Sequence, residues 1–316
     1  MSKSAVIVGA GLAGLLCGRI LSRQGWEVTL VEACSQPGGL LAPFLWDGIP
    51  CETGFHSVGG LHPGGPLEKI FRPLGLMDLP WYRADEDEGY PFLRLNSGSE
   101  QELRHILDPY KGSTWRLKGG GRTLIKELAK GLDIKTGNKV ISLENHTVVC
   151  AGCTFESDTV ISSLHPSVTF SLLKDHVRPS YLKRLSKMEN GPGIFSVYCL
   201  LEPGCVPWQS GDIFWNGNLM LHFGEPETDI LELLRFTEGN PEEMIAHASQ
   251  RLPGLKVRKY HTAYHYGYGL KKETPDHYLS PVTPLPWLFL TGQNLGLHGI
   301  LGTAVSALNT CKSVQP

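Results

Sequence analysis

The sequence predicts an α/β protein built on a parallel, nucleotide-binding sheet, and three observations near its start predict it. The apolar run Ala5-Val6-Ile7-Val8 reads as a buried strand, since strands covered on both faces lack polar alternation. It passes directly into Gly9-Ala10-Gly11-Leu12-Ala13-Gly14, and Leu15 to Ser22 reads as the helix that follows. Trp26 to Val31 then supplies a second strand with Glu32 at its end. Strand, turn, helix, strand and acid in this order form a unit that holds a dinucleotide. A glycine-rich turn that binds nothing would leave Glu32 without a reason.

Each part has a physical task. Gly9 permits the tight turn, Gly11 lets the backbone approach a pyrophosphate, and Gly14 lets helix pack close on strand. Ala10, Leu12 and Ala13 complete the turn, whose helix N-terminus offers free N–H groups to phosphate. Glu32, with Ala33 beside it, is placed to accept hydrogen bonds from ribose hydroxyls. Pro37-Gly38-Gly39-Leu40-Leu41 comes next, then Glu52-Thr53-Gly54-Phe55-His56. Alone, Gly38-Gly39 would be an ordinary loop. Beside Glu32 it reads as a second phosphate-side nest, which suits a longer, bent cofactor with a ring system deeper in the protein.

The far end carries a matching piece. Trp287 to Leu290 is a short apolar strand, followed by Thr291-Gly292-Gln293-Asn294, then Leu297-His298-Gly299-Ile300-Leu301-Gly302 and an apolar helix from about Thr303 to Cys311. With its two halves at opposite ends, the chain reads as a complete unit. Between them, Lys118-Gly119-Gly120-Gly121-Arg122 leads into a helix from Thr123 to Gly131, and Asp133 to Thr136 and Lys139 to Leu143 read as strands. Thr147 to Cys150 and Cys153 to Glu156 form a hairpin. Asp158 to Ser163 is a buried strand that runs into Leu164-His165-Pro166, where proline ends the regularity.

These motifs together resemble FAD-dependent flavoproteins of the amine oxidase superfamily, in the branch of phytoene desaturases, carotenoid isomerases and retinol saturases. The resemblance implies a Rossmann-type FAD-binding domain (glutathione reductase-like) with an interleaved α+β substrate domain. The FAD-binding domain would comprise residues 1–60, 113–170 and 285–316, and the substrate domain 61–112 and 171–284. It further implies that Gly39 and Leu40 lie along the pyrophosphate and that Gly54 and His56 bring backbone near the flavin. Val140 would contact the adenine side through its backbone, and Ser163 would adjoin the cofactor, with His165 a structural neighbour. Gly292, Gln293, Gly299 and Ile300 would face the flavin, where a helix N-terminus stabilises negative charge on the reduced ring.

Composition narrows the classes. With 41% hydrophobic residues and a formal net charge of −2, no basic face stands out, which argues against nucleic acid. No apolar run approaches membrane-spanning length. The segment with Lys3 and an apolar stretch could pass for a signal peptide, but cleavage would destroy the nucleotide strand. Eight cysteines in a chain this size fit a reducing cytoplasm, and Cys150 and Cys153 read as plain hairpin residues. The 12 histidines follow no metal-ligand spacing, so no metal is expected.

Residues Pro192 to Leu201 read as a strand of the second domain with Gly217 to Phe223 as its partner, and Pro241 to Leu252 as a helix. Tyr260 to Lys271 alternates aromatic with small residues. That suits either a strand lining a cavity near the flavin or an aromatic-rich core strand, and Tyr266 and Tyr268 join His56 as candidates near the ring. His56 would orient or relay a proton, or simply shape its turn. Against the family pattern, only about sixty residues, Leu61 to Arg116, stand where a long helical section forms the substrate tunnel. They read as a short helix from Leu67 to Leu74, an acidic loop Asp85-Glu86-Asp87-Glu88 and a helix near Glu100 to Leu107. A reduced lid disfavours a long polyene and favours a shallow site or one that a partner protein completes. No Ser/His/Asp or paired-carboxylate constellation is visible in the sequence. The main expectation is a desaturase, reductase or isomerase moving hydride between flavin N5 and an unsaturated, mostly apolar or carrier-bound substrate. An amine or amino-acid oxidase using oxygen, and a non-catalytic flavin-bound accessory protein, are the alternatives.

Overall fold

The computed structural model describes residues 3–85, 114–173, 177–186, 193–215, 219–236, 238–265, 279–296 and 298–314. In chain order, β1 (Ser4–Val8), α1 (Leu12–Arg23) and β2 (Glu27–Val31) open the chain, and the hairpin β3 (Phe44–Trp46) and β4 (Ile49–Cys51) follows. Next come α2 (Pro66–Phe71), β5 (Trp81–Arg83), β6 (Trp115–Leu117) and α3 (Gly120–Ala129). Then β7 (Asp133–Lys135), β8 (Val140–Glu144), β9 (Thr147–Cys150), β10 (Cys153–Glu156) and β11 (Thr159–Ser162) lead to the short helices α4 (Pro166–Ser171) and α5 (Pro179–Leu185). The second lobe holds β12 (Ile194–Leu201), β13 (Ile213–Trp215), β14 (Leu219–Phe223), β15 (Ile230–Phe236), α6 (Pro241–Arg251) and β16 (Val257–His265). Finally β17 (Leu288–Leu290) and α7 (Gly299–Ser313) return to the first lobe.

The first lobe is a parallel sheet in the order β17-β11-β1-β2-β7. Ala5 and Ile7 face one side, where Leu15 and Leu16 of α1, Leu67 of α2 and Ala304 and Ala307 of α7 bury them. Val6, Val8, Val31 and Val160 face the other side, against Val140, Leu143 and Val148 of the β10-β9-β8 meander. The strands read as unbroken apolar runs because both faces are covered. The α7 helix begins at Gly299 (φ 73°), four residues before the start expected from sequence, so His298 and not Gly302 precedes it. The expected helix from Leu67 to Leu74 is split: α2 ends at Phe71 and continues as a 3₁₀ turn over Arg72–Leu74, because Pro73 cannot supply an α-helical N–H.

The second lobe is an antiparallel sheet in the order β13-β14-β15-β12-β16. The strand expected as the partner of β12 is instead two places away. β12 pairs with β15 and β16, and β14 pairs with β15. Val197, Cys199, Leu221, Leu231 and Leu233 form one face, packed on Met244 and Ala248 of α6. Asn240 caps α6 by accepting from the Glu243 N–H at 2.9 Å. Strand β16 is the sheet edge, and most of its side chains are exposed. In its described part it is therefore not a core strand, and on its inner side His261 packs on Phe44 and Trp46 while His265 hydrogen-bonds Tyr198. Tyr266 and Tyr268, most of the acidic loop and the helix expected near Glu100 lie outside the described residues. Among the described residues no helix is long and apolar enough to cross a membrane.

Candidate functional site

The glycine turn sits at the C-terminal ends of β1, β2 and β11, where open parallel sheets bind ligands. Gly9 (φ 93°) closes the turn with its N–H on the Val31 carbonyl at 2.8 Å, and any Cβ there would lie 2.4 Å from the Ser163 hydroxyl. A Cβ on Gly14 would lie 2.0 Å from the Gly9 carbonyl oxygen, so helix and strand can meet only through glycine. The Gly38 N–H donates to Ala10 at 2.8 Å, drawing the second glycine pair alongside, and a Cβ on Gly39 would come within 3.2 Å of the Gly11 Cα. No side chain caps α1 at Gly11, which leaves its N-terminal amides for an anion.

Glu32 is held by two backbone donors. Ala10 N–H reaches Oε2 at 2.7 Å and Cys34 N–H reaches Oε1 at 2.8 Å. Each oxygen keeps lone-pair capacity for a ribose hydroxyl. Ala33 is exposed beside it, and the Asn138 N–H on the Glu32 carbonyl (2.8 Å) brings the start of β8, with Val140, to the same rim. Gly292 (φ 111°) lies against Ala13 and donates to Ser306 of α7 at 3.0 Å, so the returning segment, with Gln293, Gly299 and Ile300, joins the α1 turn. His165 caps α4, its Nδ1 accepting from the Ser167 N–H at 3.2 Å. A cradle that tolerates no Cβ at several points and leaves helix amides open fits a dinucleotide's phosphates.

From Glu52 to Ser57 the chain meets the other face of the second sheet, and this meeting was not legible in the sequence. Alternation puts Ser196 and Tyr198 of β12, His222 of β14 and Glu232 of β15 on that face, opposite in direction to the apolar set. All four are buried. His56 Nε2 lies 3.0 Å from Glu232 Oε2, with side chains 15% and 3% exposed. Burial alone would lower the His56 pKa, but the Glu232 carboxylate overrides it and raises it. Glu232 is likewise held below the usual carboxylate range, His56 outweighing the cost of burial. Both shifts favour the charged forms of the pair.

The next residue makes a second link, the Ser57 hydroxyl donating to Asp212 Oδ2 at 2.6 Å. Asp212 Oδ1 lies 2.7 Å from His222 Nδ1, and His222 Nε2 lies 3.1 Å from the buried Arg116 guanidinium. Burial first, and Arg116 after it, push the His222 pKa down to about 4. His222 is then neutral, with Nδ1–H donating to Asp212 and Nε2 accepting from Arg116. Arg116 also donates to the Phe223 carbonyl at 2.6 Å and stacks 5.8 Å from the Trp208 ring. Here the aspartate stands between serine and histidine and the second histidine nitrogen is occupied, so Ser57 has no base and the trio is not a hydrolytic triad.

Glu52 closes the group. Its Oε1 accepts from the Gly121 N–H at the start of α3 (3.2 Å), and a Cβ on Gly120 would fall 2.0 Å from that oxygen. Burial pushes the Glu52 carboxyl up to about 7, against the pull of His56 and the Gly121 amide. Glu52 Oε2 and Glu232 Oε1 are buried and accept no hydrogen bond from the described residues. Of the sequence-expected ring-side residues, His56 is the one among the described residues, and it joins this network. Its partner Glu232 on β15, and Asp212, the partner of Ser57 just ahead of β13, lie more than 150 residues away, and only the alternating pattern of β12 hinted at a polar face.

The comparisons with known proteins agree with this architecture. Residues 7–74 match the NAD(P)-binding Rossmann-like domain, and residues 88–210 match the flavin containing amine oxidoreductase family. Over these two segments, each less than half of the chain, it is similar to flavin-containing amine oxidoreductases, which indicates FAD as its cofactor. Polyamine oxidase 3 of Oryza sativa subsp. japonica is 30% identical over 91 residues, which is 29% of this chain and 18% of that protein. Hydroxyneurosporene desaturase of Rubrivivax gelatinosus is 43% identical over 49 residues, 16% of this chain and 9% of that protein. The chain thus matches only a small part of these relatives' length. An oxidoreductase from Methanosarcina mazei has the same fold, with a TM-score of 0.74 at 15% identity, covering 98% of this chain and 100% of that one.

Proposed function

We propose that this chain is an FAD-dependent oxidoreductase that moves hydride between the flavin and a small unsaturated substrate, as a desaturase, reductase or isomerase. The observation that carries the reading is the continuity of the site. The glycine cradle leads through the Gly54–His56 turn directly onto a buried polar sheet face. FAD, when bound, supplies the hydride chemistry. The α1 N-terminus and Gly39 would hold its pyrophosphate, Glu32 its ribose, and the segment from Gly292 to Ile300 its ring end. The chain's own residues hold protons: His56 as an imidazolium against Glu232, and Glu52 as a carboxyl that titrates near neutrality.

The polar face narrows the substrate. A wholly apolar chain laid against Glu232 and Glu52 would leave their open oxygens unsatisfied, at a cost of about 1–3 kcal/mol each or more. The substrate, carrier-bound or free, therefore brings a hydrogen-bonding group next to its reacting carbons. The same two carboxylates favour the second reading, an amine oxidase, since each could receive an N–H donor. We assign residues 1–60, 113–170 and 285–316 to cofactor binding and 61–112 and 171–284 to the substrate, in a cytoplasmic protein whose short lid region a partner protein would complete. To test the reading, the FAD-loaded protein is photoreduced and offered oxygen, a quinone, or polyenes bearing a hydroxyl or carboxyl, and in separate runs the oxidised, FAD-loaded protein is offered polyamines. Reoxidation by a polyene or quinone supports the first reading, and amine-driven bleaching with peroxide release supports the second. Tight FAD without reaction toward any of them would leave an accessory flavoprotein.

A further inference from the structure

Hydride transfer moves two electrons, and the protons that accompany them need a route between the buried site and water. A line of titratable groups crosses the polar sheet face from one side to the other. It starts at His56, 3.0 Å from Glu232. Glu232 on β15 stands directly opposite Tyr198 on β12, and such cross-strand neighbours have Cβ atoms about 4.5–5.5 Å apart. The Tyr198 hydroxyl lies 3.1 Å from His265 Nε2, and His265 ends the edge strand β16, where it is partly exposed. The Tyr198 oxygen is also 2.8 Å from the Glu52 carbonyl. A phenol has one proton to give, so it can donate either to Glu52 or to His265. A relay also needs the hydroxyl to accept, taking a proton from Glu232 on one lone pair as it gives its own to His265.

We propose that His56, Glu232, Tyr198 and His265 form a proton line between the flavin-side turn and the solvent at the sheet edge. This rests on the reading of the Gly54–His56 turn as facing the flavin. The groups around the line are compatible with it. Glu52 and Cys51 approach from the β4 end, while Asp212, His222 and Arg116 form a closed set of their own on the far side of His56. The rings of His56 and His222 meet edge to face at 4.7 Å. Burial lowers the His265 pKa and keeps that imidazole neutral, able to receive a proton from Tyr198 or return one. Burial and the neighbouring Glu232 push the Tyr198 hydroxyl above the ordinary phenol range, so Tyr198 passes protons without holding a charge.

Reoxidation by oxygen gives a clean proton count. FADH⁻, O₂ and one H⁺ yield FAD and H₂O₂, so each flavin oxidised draws one proton from solvent. The photoreduced, FAD-loaded protein is mixed with oxygenated, weakly buffered solution containing a pH-indicator dye, and flavin and dye absorbance are followed together. A water-soluble quinone, with the same proton count, replaces oxygen if oxygen is not reduced. In the wild type the two traces should share one rate. In Tyr198→Phe, and in His265→Gln at the partly exposed edge, dye uptake should lag flavin oxidation at least tenfold, as the site spends its stored proton and refills slowly. Coincident traces in both variants, with wild-type melting and FAD content, would overturn the line. A second readout needs no flavin. By NMR the His56 imidazole should titrate at least one pH unit lower in Glu232→Gln, and an unchanged midpoint would break the first link. A protein that takes up no FAD refutes the flavin reading, whereas one that binds and reoxidises FAD with coincident traces refutes only the proton line.

Discussion

The two faces of the antiparallel sheet share the same strands and differ in what they bury. Val197, Cys199, Leu221, Leu231 and Leu233 point to α6, while Ser196, Tyr198, His222 and Glu232, their neighbours in sequence, point to the nucleotide lobe. Burying a leucine side chain contributes roughly 1.5–3 kcal/mol, whereas a buried ion pair often stabilises no more than the apolar residues that could replace it. The apolar face therefore accounts for the lobe's cohesion. The polar face adds little to it and holds charged groups that catalysis can use.

Four measurements would break or sharpen this contrast. Asp212→Ala strips the buried Arg116 and His222 of their carboxylate and should cost about 3–5 kcal/mol in urea unfolding. A loss below about 1 kcal/mol would mean that water reaches this face freely. On the opposite face, Leu233→Ala should cost about 2–5 kcal/mol through the cavity it leaves, with the His56 titration unmoved. A shifted His56 would show that the faces are coupled.

Third comes the pH dependence. The Glu52 pKa is raised from 4.5 to about 7 on folding, so its stabilising share is full below pH 4.5 and is lost as pH climbs through 7. His56 is also raised, and its share likewise disappears toward high pH. Between pH 5 and pH 8 the unfolding free energy should therefore lose on the order of 3 kcal/mol through Glu52, while His222, lowered to about 4, offsets part of that fall. Glu52→Gln should lessen that fall, and Leu233→Ala should leave it intact. The smallest effect belongs to the helix behind the apolar face. Asn240→Ala removes the α6 cap and should cost about 1 kcal/mol in thermal unfolding, with no change in flavin binding.

The nucleotide cradle was readable residue by residue because its requirements are local. Gly9, Gly11 and Gly14 answer to a turn, a phosphate and a helix contact within a few residues, and Glu32 ends the very next strand. The polar sheet face was not readable, because its logic is in strand pairing. Glu232 lies in Ile230-Leu231-Glu232-Leu233-Leu234, a run that did not stand out as a strand and whose lone acid looks like a solvated residue. Its partner, His56, is 176 positions away. The true neighbour of β12 was missed for the same reason, and so was the paired-carboxylate character of the site. The aromatic alternation of Tyr260 and Tyr264 lies on an edge strand whose side chains are largely exposed, not in the core. The early start of α7 was hidden by Gly299, which usually signals a break rather than a first turn.

His56 and Ser57 are adjacent in the chain, yet they grip Glu232 on β15 and Asp212 ahead of β13. An apolar seam at this place would tolerate sliding, since one methyl group packs much like another. This seam does not, because a shift by one residue would set a hydroxyl where an imidazolium belongs and leave two carboxylates unanswered. The pair of residues works as a key with two teeth. It admits one docking register between the lobes, and so fixes where the Gly54–His56 turn stands above the sheet before any ligand arrives.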